Sequence, residues 1–103
     1  MRFKKGVKTG ISLQPEIISI FPLIERLCTE YGFEFVVTSG TEGRHKAYSK
    51  HYEGKAIDIR SLDFKDGCLG SDCRSFVEHL QGLLGDDYFV LQEKTHCHVQ
   101  FNK

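Results

Sequence analysis

The chain has 103 residues, 40% of them hydrophobic, and 14 basic side chains balance 14 acidic ones. This length is typical of one small domain, so residues 1–103 are predicted to form a single domain. The balanced charge argues against a nucleic acid or an anionic membrane as the main partner. No apolar run approaches the ~20 residues that a membrane-spanning helix needs.

The N-terminal segment and the cysteines indicate a chain without secretory features. MRFKKGVKTGISL is basic but lacks the continuous apolar stretch of a secretion signal, and its Lys and Arg residues are predicted to form a solvated arm. Cys28, Cys68, Cys73 and Cys97 are too few and too irregularly spaced for a disulfide scaffold. Reduced thiols are therefore expected, with a disulfide between Cys68 and Cys73 as the alternative.

A first helix is predicted between Gln14 and Tyr31, where apolar residues recur at helical spacing. Pro15 suits the first helical turn, and Gly32 suits the position after the last turn. Pro22 lies inside the pattern and is expected to kink or divide the helix because proline cannot donate a backbone hydrogen bond.

Two strands are predicted next, FEFVVTS at 33–39 and KAIDIR at 55–60, with a long polar loop over 40–54 between them. After a second loop, Ser71 or Asp72 is predicted to cap a helix that ends near residue 84. The apolar residues predicted to form the buried stripe of this helix are Phe76, Val77, Leu80, Leu83 and Leu84.

The chain ends in two short apolar runs, YFVLQ at 88–92 and HCHVQF at 96–101, separated by Glu93-Lys94-Thr95. Such a pattern is typical of a hairpin. The predicted fold class is therefore α+β, with two main helices packed on a small, mostly antiparallel sheet of about four strands.

The residues that carry chemistry lie in two segments, SKHYEGKAIDI and THCHVQF. A catalytic zinc site takes three protein ligands and a water, commonly from imidazole and carboxylate groups. His51, Asp58 and one of the two histidines His96 and His98 supply such a set. Gly54 lets the loop turn back, so that the imidazole of His51 can approach the carboxylate.

Strand alternation separates possible ligands from core residues, because side chains two positions apart lie on the same face of a strand. His96 and His98 are therefore expected on one face, and Cys97 with its alternate neighbours is expected in the core. The same alternation places Asp58 on one face of its strand and Ile57 and Ile59 on the other face. Cys97 is excluded as a metal ligand on this ground.

These motifs resemble a known family. S-x-H-x-x-G-x-A-x-D is present as Ser49, His51, Gly54, Ala56 and Asp58, and an H-x-H pair follows late in the chain. The pattern, which covers roughly 37–101, is similar to that of zinc metallopeptidases that include D-alanyl-D-alanine carboxypeptidases, phage L-alanyl-D-glutamate endopeptidases, murein endopeptidases and the hedgehog domain. The resemblance implies one Zn²⁺ per chain, bound by His51, Asp58 and His98.

The resemblance also suggests catalytic roles. His96 matches the first histidine of H-x-H, which in the family lies beside the metal and assists the attacking water. Carboxypeptidase relatives carry a glutamate three residues before the last ligand, where this chain has Thr95, so Glu93 is the nearest candidate for the general base. His45 has a counterpart in hedgehog-like members, and His45 or Arg44 is expected to face the developing oxyanion.

The implied function is zinc-dependent hydrolysis of peptide bonds in bacterial peptidoglycan stem peptides, as by a phage-type endopeptidase. The alternatives are a D-alanyl-D-alanine carboxypeptidase and a non-catalytic, zinc-stabilised hedgehog-like binding module. The expected enzyme acts as a monomer at the cell wall. Without a signal peptide, it is expected in the host cytoplasm until lysis or as part of a virion.

Overall fold

The computed structural model describes residues 1–4, 13–39, 54–60 and 70–103. These residues form helices and strands in the order β-α-α-β-β-α-β-β along the chain. The helices are α1 Pro15–Ile18, α2 Phe21–Glu30 and α3 Ser71–Leu84, and the strands are β1 Arg2–Phe3, β2 Val36–Ser39, β3 Ala56–Arg60, β4 Tyr88–Gln92 and β5 His96–Phe101. None of the helices in these ranges has the length and apolar character needed to cross a membrane.

The strands form a single sheet in the order β1-β2-β3-β5-β4. All neighbouring strands pair antiparallel except β1, which lies parallel to β2. The α+β class and the mostly antiparallel sheet are therefore confirmed. The N-terminus differs from the expected solvated arm, because Arg2 and Phe3 add a short strand and the Phe3 ring packs against the core.

Pro22 divides the first helical region, as its position inside the apolar pattern predicted. α1 ends at Ile18, a turn follows, and α2 begins at Phe21 with Pro22 in its first turn, where a missing N–H costs least. α2 ends before Gly32, whose φ of +80° is a backbone conformation that glycine adopts without strain. Both predicted ends of the region are confirmed.

α3 matches its predicted span but differs in two details. Its N-cap is Gly70, with no capping side chain, so Ser71 is the first helical residue rather than the cap. Leu83 is 49% exposed and does not belong to the buried stripe, whereas Cys73 is fully buried and does. Leu83 is the penultimate residue of α3, and the adjacent Leu84 packs against the core instead.

The hydrophobic core lies between the helices and one face of the sheet. Alternate residues of the two central strands point into it: Ile57 and Ile59 from β3, Cys97 and Val99 from β5. Ile17, Ile24, Leu27, Phe76 and Leu80 of the helices cover these side chains. The predicted alternation of β5 is confirmed, so its histidines lie on the opposite face of the sheet.

The outer edge of β4 is closed by the side chain of Gln81 in α3. Its amide oxygen accepts a 2.8 Å hydrogen bond from the backbone N–H of Val90. Its amide nitrogen donates to the backbone oxygens of Tyr88 at 2.8 Å and Gly85 at 3.1 Å. Gln81 thus replaces a neighbouring strand and anchors the β4–β5 hairpin to the helix layer.

Candidate functional site

The pairing of β3 with β5 brings the predicted site residues together. Asp58 lies directly opposite His98 in the antiparallel register, and Arg60 lies opposite His96. Directly paired residues share a face of the sheet, so the aspartate and both histidines project away from the hydrophobic core. This convergence of β3 and β5 is the basis of the candidate site.

Asp58 and His98 form the centre of the site. The distance between Oδ1 of Asp58 and Nδ1 of His98 is 3.1 Å. Asp58 is only 8% exposed. A buried carboxylate is costly in free energy unless it has a partner, and His98 is such a partner. Thr38 of the neighbouring strand donates its hydroxyl to the backbone oxygen of Asp58 at 3.3 Å and ties the site to β2.

The surroundings of His98 favour its protonated form when no metal is bound. Burial lowers the pKa of His98, but its hydrogen bonds to Asp58 and Gln100 and the charges of Asp58 and Glu93 raise it, and the net shift is upward. A protonated imidazole donates from both nitrogens, which suits the two acceptors beside it.

His96 forms a second cluster at the rim of the site. Its Nε2 lies 3.1 Å from Oε2 of Glu93 and 3.6 Å from Oδ1 of Asp58. Its Nδ1 lies 3.0 Å from the hydroxyl of Thr95. When that hydroxyl donates to Nδ1, the proton of the neutral ring is on Nε2 and points to the Glu93 carboxylate. The geometry therefore pairs a proton donor with a carboxylate acceptor.

The Asp58–His98 pair is compatible with zinc. Two ligand atoms of a tetrahedral zinc lie about 3.4 Å apart, because each bond is about 2.1 Å long. The observed 3.1 Å is within a few tenths of an ångström of that value. Within the described ranges, however, no group of three or more His, Cys, Asp or Glu side chains has the arrangement of a metal site.

Several predicted site residues lie outside the described residues. These are the third predicted ligand, His51, and the two residues expected near the oxyanion, His45 and Arg44. The structure brings together Asp58, His98, His96 and Glu93 of the predicted set.

Sequence reasoning missed three polar residues of the site. Thr95 contacts His96, and the amide oxygen of Gln100 lies 2.7 Å from Nε2 of His98. The amide nitrogen of Gln100 in turn donates to Oδ1 of Asn102 at 2.7 Å. The alternation that places His96 and His98 on one face of β5 also places Gln100 on that face. Extending it by two residues would have predicted the contact between Gln100 and His98.

The three cysteines in the described residues lie away from the site face. Cys97 is 1% exposed, and its sulfur lies 3.7 Å from that of Cys73 in the core. Cys28, Cys73 and Cys97 are all buried free thiols, in agreement with the expected reduced state of these three. Cys68, the predicted alternative partner of Cys73, lies outside the described residues.

Comparison with protein-family models and with solved structures gives no identification. No protein-family model matches the chain, and no solved structure matches it significantly. Function is therefore inferred from the motifs and from the geometry of the site.

Proposed function

We propose that this protein is a zinc metallopeptidase that hydrolyses peptide bonds in bacterial peptidoglycan stem peptides, with the metal bound by His51, Asp58 and His98. The observation that carries the proposal is the placement of Asp58 and His98 at 3.1 Å, on the sheet face away from the core. The S-x-H-x-x-G-x-A-x-D motif adds His51, and its resemblance to cell-wall peptidases supplies the substrate class.

Bound zinc would polarise the scissile carbonyl and lower the pKa of water to about 7. The other groups of the chain then divide the proton transfers. The Glu93 carboxylate, a partly exposed acceptor beside His96, takes the proton from the attacking water. Glu93 then delivers that proton to the leaving amine, the N–H of His96 stabilises the developing negative charge, and His45 or Arg44 contributes at the oxyanion.

The sheet also offers a surface for the substrate beside the ligands. Leu91 pairs with His98 and Phe89 pairs with Gln100, so both apolar side chains project on the site face. They are 41% and 42% exposed, respectively. In this proposal they contact the apolar side chains of a short peptide whose scissile bond lies near His98. Position 95 is threonine rather than glutamate, which favours endopeptidase over carboxypeptidase action.

Digestion of purified peptidoglycan tests the proposal. The zinc-loaded protein should release stem-peptide fragments that mass spectrometry assigns to one internal bond, whereas release of terminal D-alanine alone would identify a carboxypeptidase. His98→Ala should abolish the release, and Glu78→Ala, on the exposed side of α3, should leave it unchanged. Equal activity of the wild type and His98→Ala would refute the assignment.

Glu93→Gln separates an enzyme from a binding module, the second candidate, since both need the same three ligands. In the enzyme this variant should keep its zinc but cleave roughly a hundredfold more slowly. A wild type that binds zinc and cleaves no wall peptide would favour the hedgehog-like, non-catalytic role.

A further inference from the structure

The polar face of β5 continues past the two histidines into a chain of hydrogen bonds. Nε2 of His98 lies 2.7 Å from the amide oxygen of Gln100, and the amide nitrogen of Gln100 donates to Oδ1 of Asn102 at 2.7 Å. On its other side, Nδ1 of His98 lies 3.1 Å from Oδ1 of Asp58. Four side chains are therefore connected in series: Asp58, His98, Gln100 and Asn102. Among them, neutral His98 can exist as either of two tautomers, with its proton on Nδ1 or on Nε2.

The orientation of the Gln100 amide decides where His98 carries its proton. An amide oxygen can only accept a hydrogen bond, so Nε2 must donate to it. Asn102 holds that orientation, because its side-chain oxygen accepts from the Gln100 nitrogen. A neutral His98 that satisfies Gln100 therefore has its proton on Nε2 and an unprotonated Nδ1, the nitrogen next to Asp58.

The alternative tautomer would prevent His98 and Asp58 from binding a metal ion together. With its proton on Nδ1, neutral His98 would donate to the Asp58 carboxylate, and the two side chains would satisfy each other instead of a metal ion. Ligating histidines commonly donate their second N–H to a neighbouring acceptor, which fixes the ring and its tautomer. Gln100 is placed to be that acceptor.

We propose that Gln100, held by Asn102, is a positioning residue that keeps neutral His98 in the Nε2–H tautomer, so that Nδ1 binds the metal together with Asp58. The inference rests on the proposed zinc site and adds to it both the coordinating nitrogen and two supporting residues. It requires no knowledge of the substrate.

Two measurements test the proposal. Zinc affinity is measured by competition with a chromogenic chelator, using zinc alone as the probe, and the tautomer of His98 is read from ¹⁵N shifts of the zinc-free protein near pH 8. Gln100→Leu should lower zinc affinity by about 10–100-fold and increase the Nδ1–H tautomer. Gln100→Glu retains an acceptor and should restore the affinity. Asn102→Ala should give a smaller loss than Gln100→Leu.

Gln92→Leu is the matched control, since Gln92 lies in the same hairpin but donates to the backbone oxygen of Gly70 at 3.3 Å. It should leave zinc affinity unchanged, and far-UV circular dichroism should show that every variant is folded. Wild-type affinity and tautomer in Gln100→Leu would overturn the proposal, as would equal losses in Gln100→Leu and Gln100→Glu.

These measurements distinguish failure of the role proposed for Gln100 from failure of the proposed enzymatic function. A wild type that binds no zinc overturns both. A wild type that binds zinc through His98 but cleaves no peptide overturns the enzymatic function and leaves the role of Gln100 supported by its own two readouts.

Discussion

Gln81 offers a sharp test of how the site hairpin is held, because one side chain satisfies three backbone groups. It accepts from the N–H of Val90 and donates to the carbonyl oxygens of Tyr88 and Gly85. Gln81→Leu keeps the approximate size of the side chain and removes all three hydrogen bonds. The hairpin that carries Glu93, His96 and His98 would then lose part of its attachment to α3.

The expected loss follows from the number of bonds. Each of these partly buried hydrogen bonds contributes about 1 kcal/mol net, and a donor or acceptor left unsatisfied costs more, so Gln81→Leu should lower the free energy of unfolding by about 2–4 kcal/mol. That is a large fraction of the ~5–15 kcal/mol expected for a domain of this size. The freed edge of β4 should also favour concentration-dependent association, as unpaired strand edges do.

Urea unfolding followed by circular dichroism measures the change, and size-exclusion chromatography at several concentrations measures the association. Gln81→Glu is informative, because it keeps an acceptor for Val90 but turns carboxylate oxygens toward two carbonyl oxygens. It should be destabilised at neutral pH and partly recover when the carboxylate is protonated. Glu78→Leu, exposed on the same helix, is the control. A free energy of unfolding for Gln81→Leu within about 0.5 kcal/mol of the wild-type value would contradict the anchoring role of Gln81.

Two further predictions concern the cysteines. Cys97→Val should keep one zinc per chain in elemental analysis, with a stability change of about 1–3 kcal/mol because the buried side chain changes shape. His98→Ala should lose most zinc affinity, and the opposite pattern would contradict the observed strand register. Burial, with a smaller contribution from Glu25, raises the pKa of Cys28 to about 12, so its folded thiol stays neutral where the unfolded thiol ionises. The neutral folded thiol contributes its full stability below the unfolded pKa of about 9, and this contribution is lost as the pH rises towards 12. The difference in unfolding free energy between wild type and Cys28→Ala should therefore shrink by about 1.4 kcal/mol per pH unit between these two values. Urea unfolding at pH 8 and 10 measures it, and a constant difference would contradict the assigned burial.

The local pattern of the sequence determined the helices, most of the strands and the faces of the two central strands of this protein. The division of the first helix follows from Pro22, because proline lacks a backbone N–H donor whatever the tertiary structure around it. The placement of Cys97 in the core and of His96 and His98 on the other face follows from the two-residue period of a strand. Such features depend on a few neighbouring residues, which is why they could be predicted.

The tertiary structure decided which of these elements meet. Nothing local specifies that Asp58 lies opposite His98, that Phe3 returns to the sheet, or that Gln81 closes the edge of β4. These contacts join residues far apart in the chain, and the burial of apolar surface across the whole domain selects them rather than any short motif. The role proposed for Gln100 has the same origin, because its significance appears only once β3 places a carboxylate beside His98.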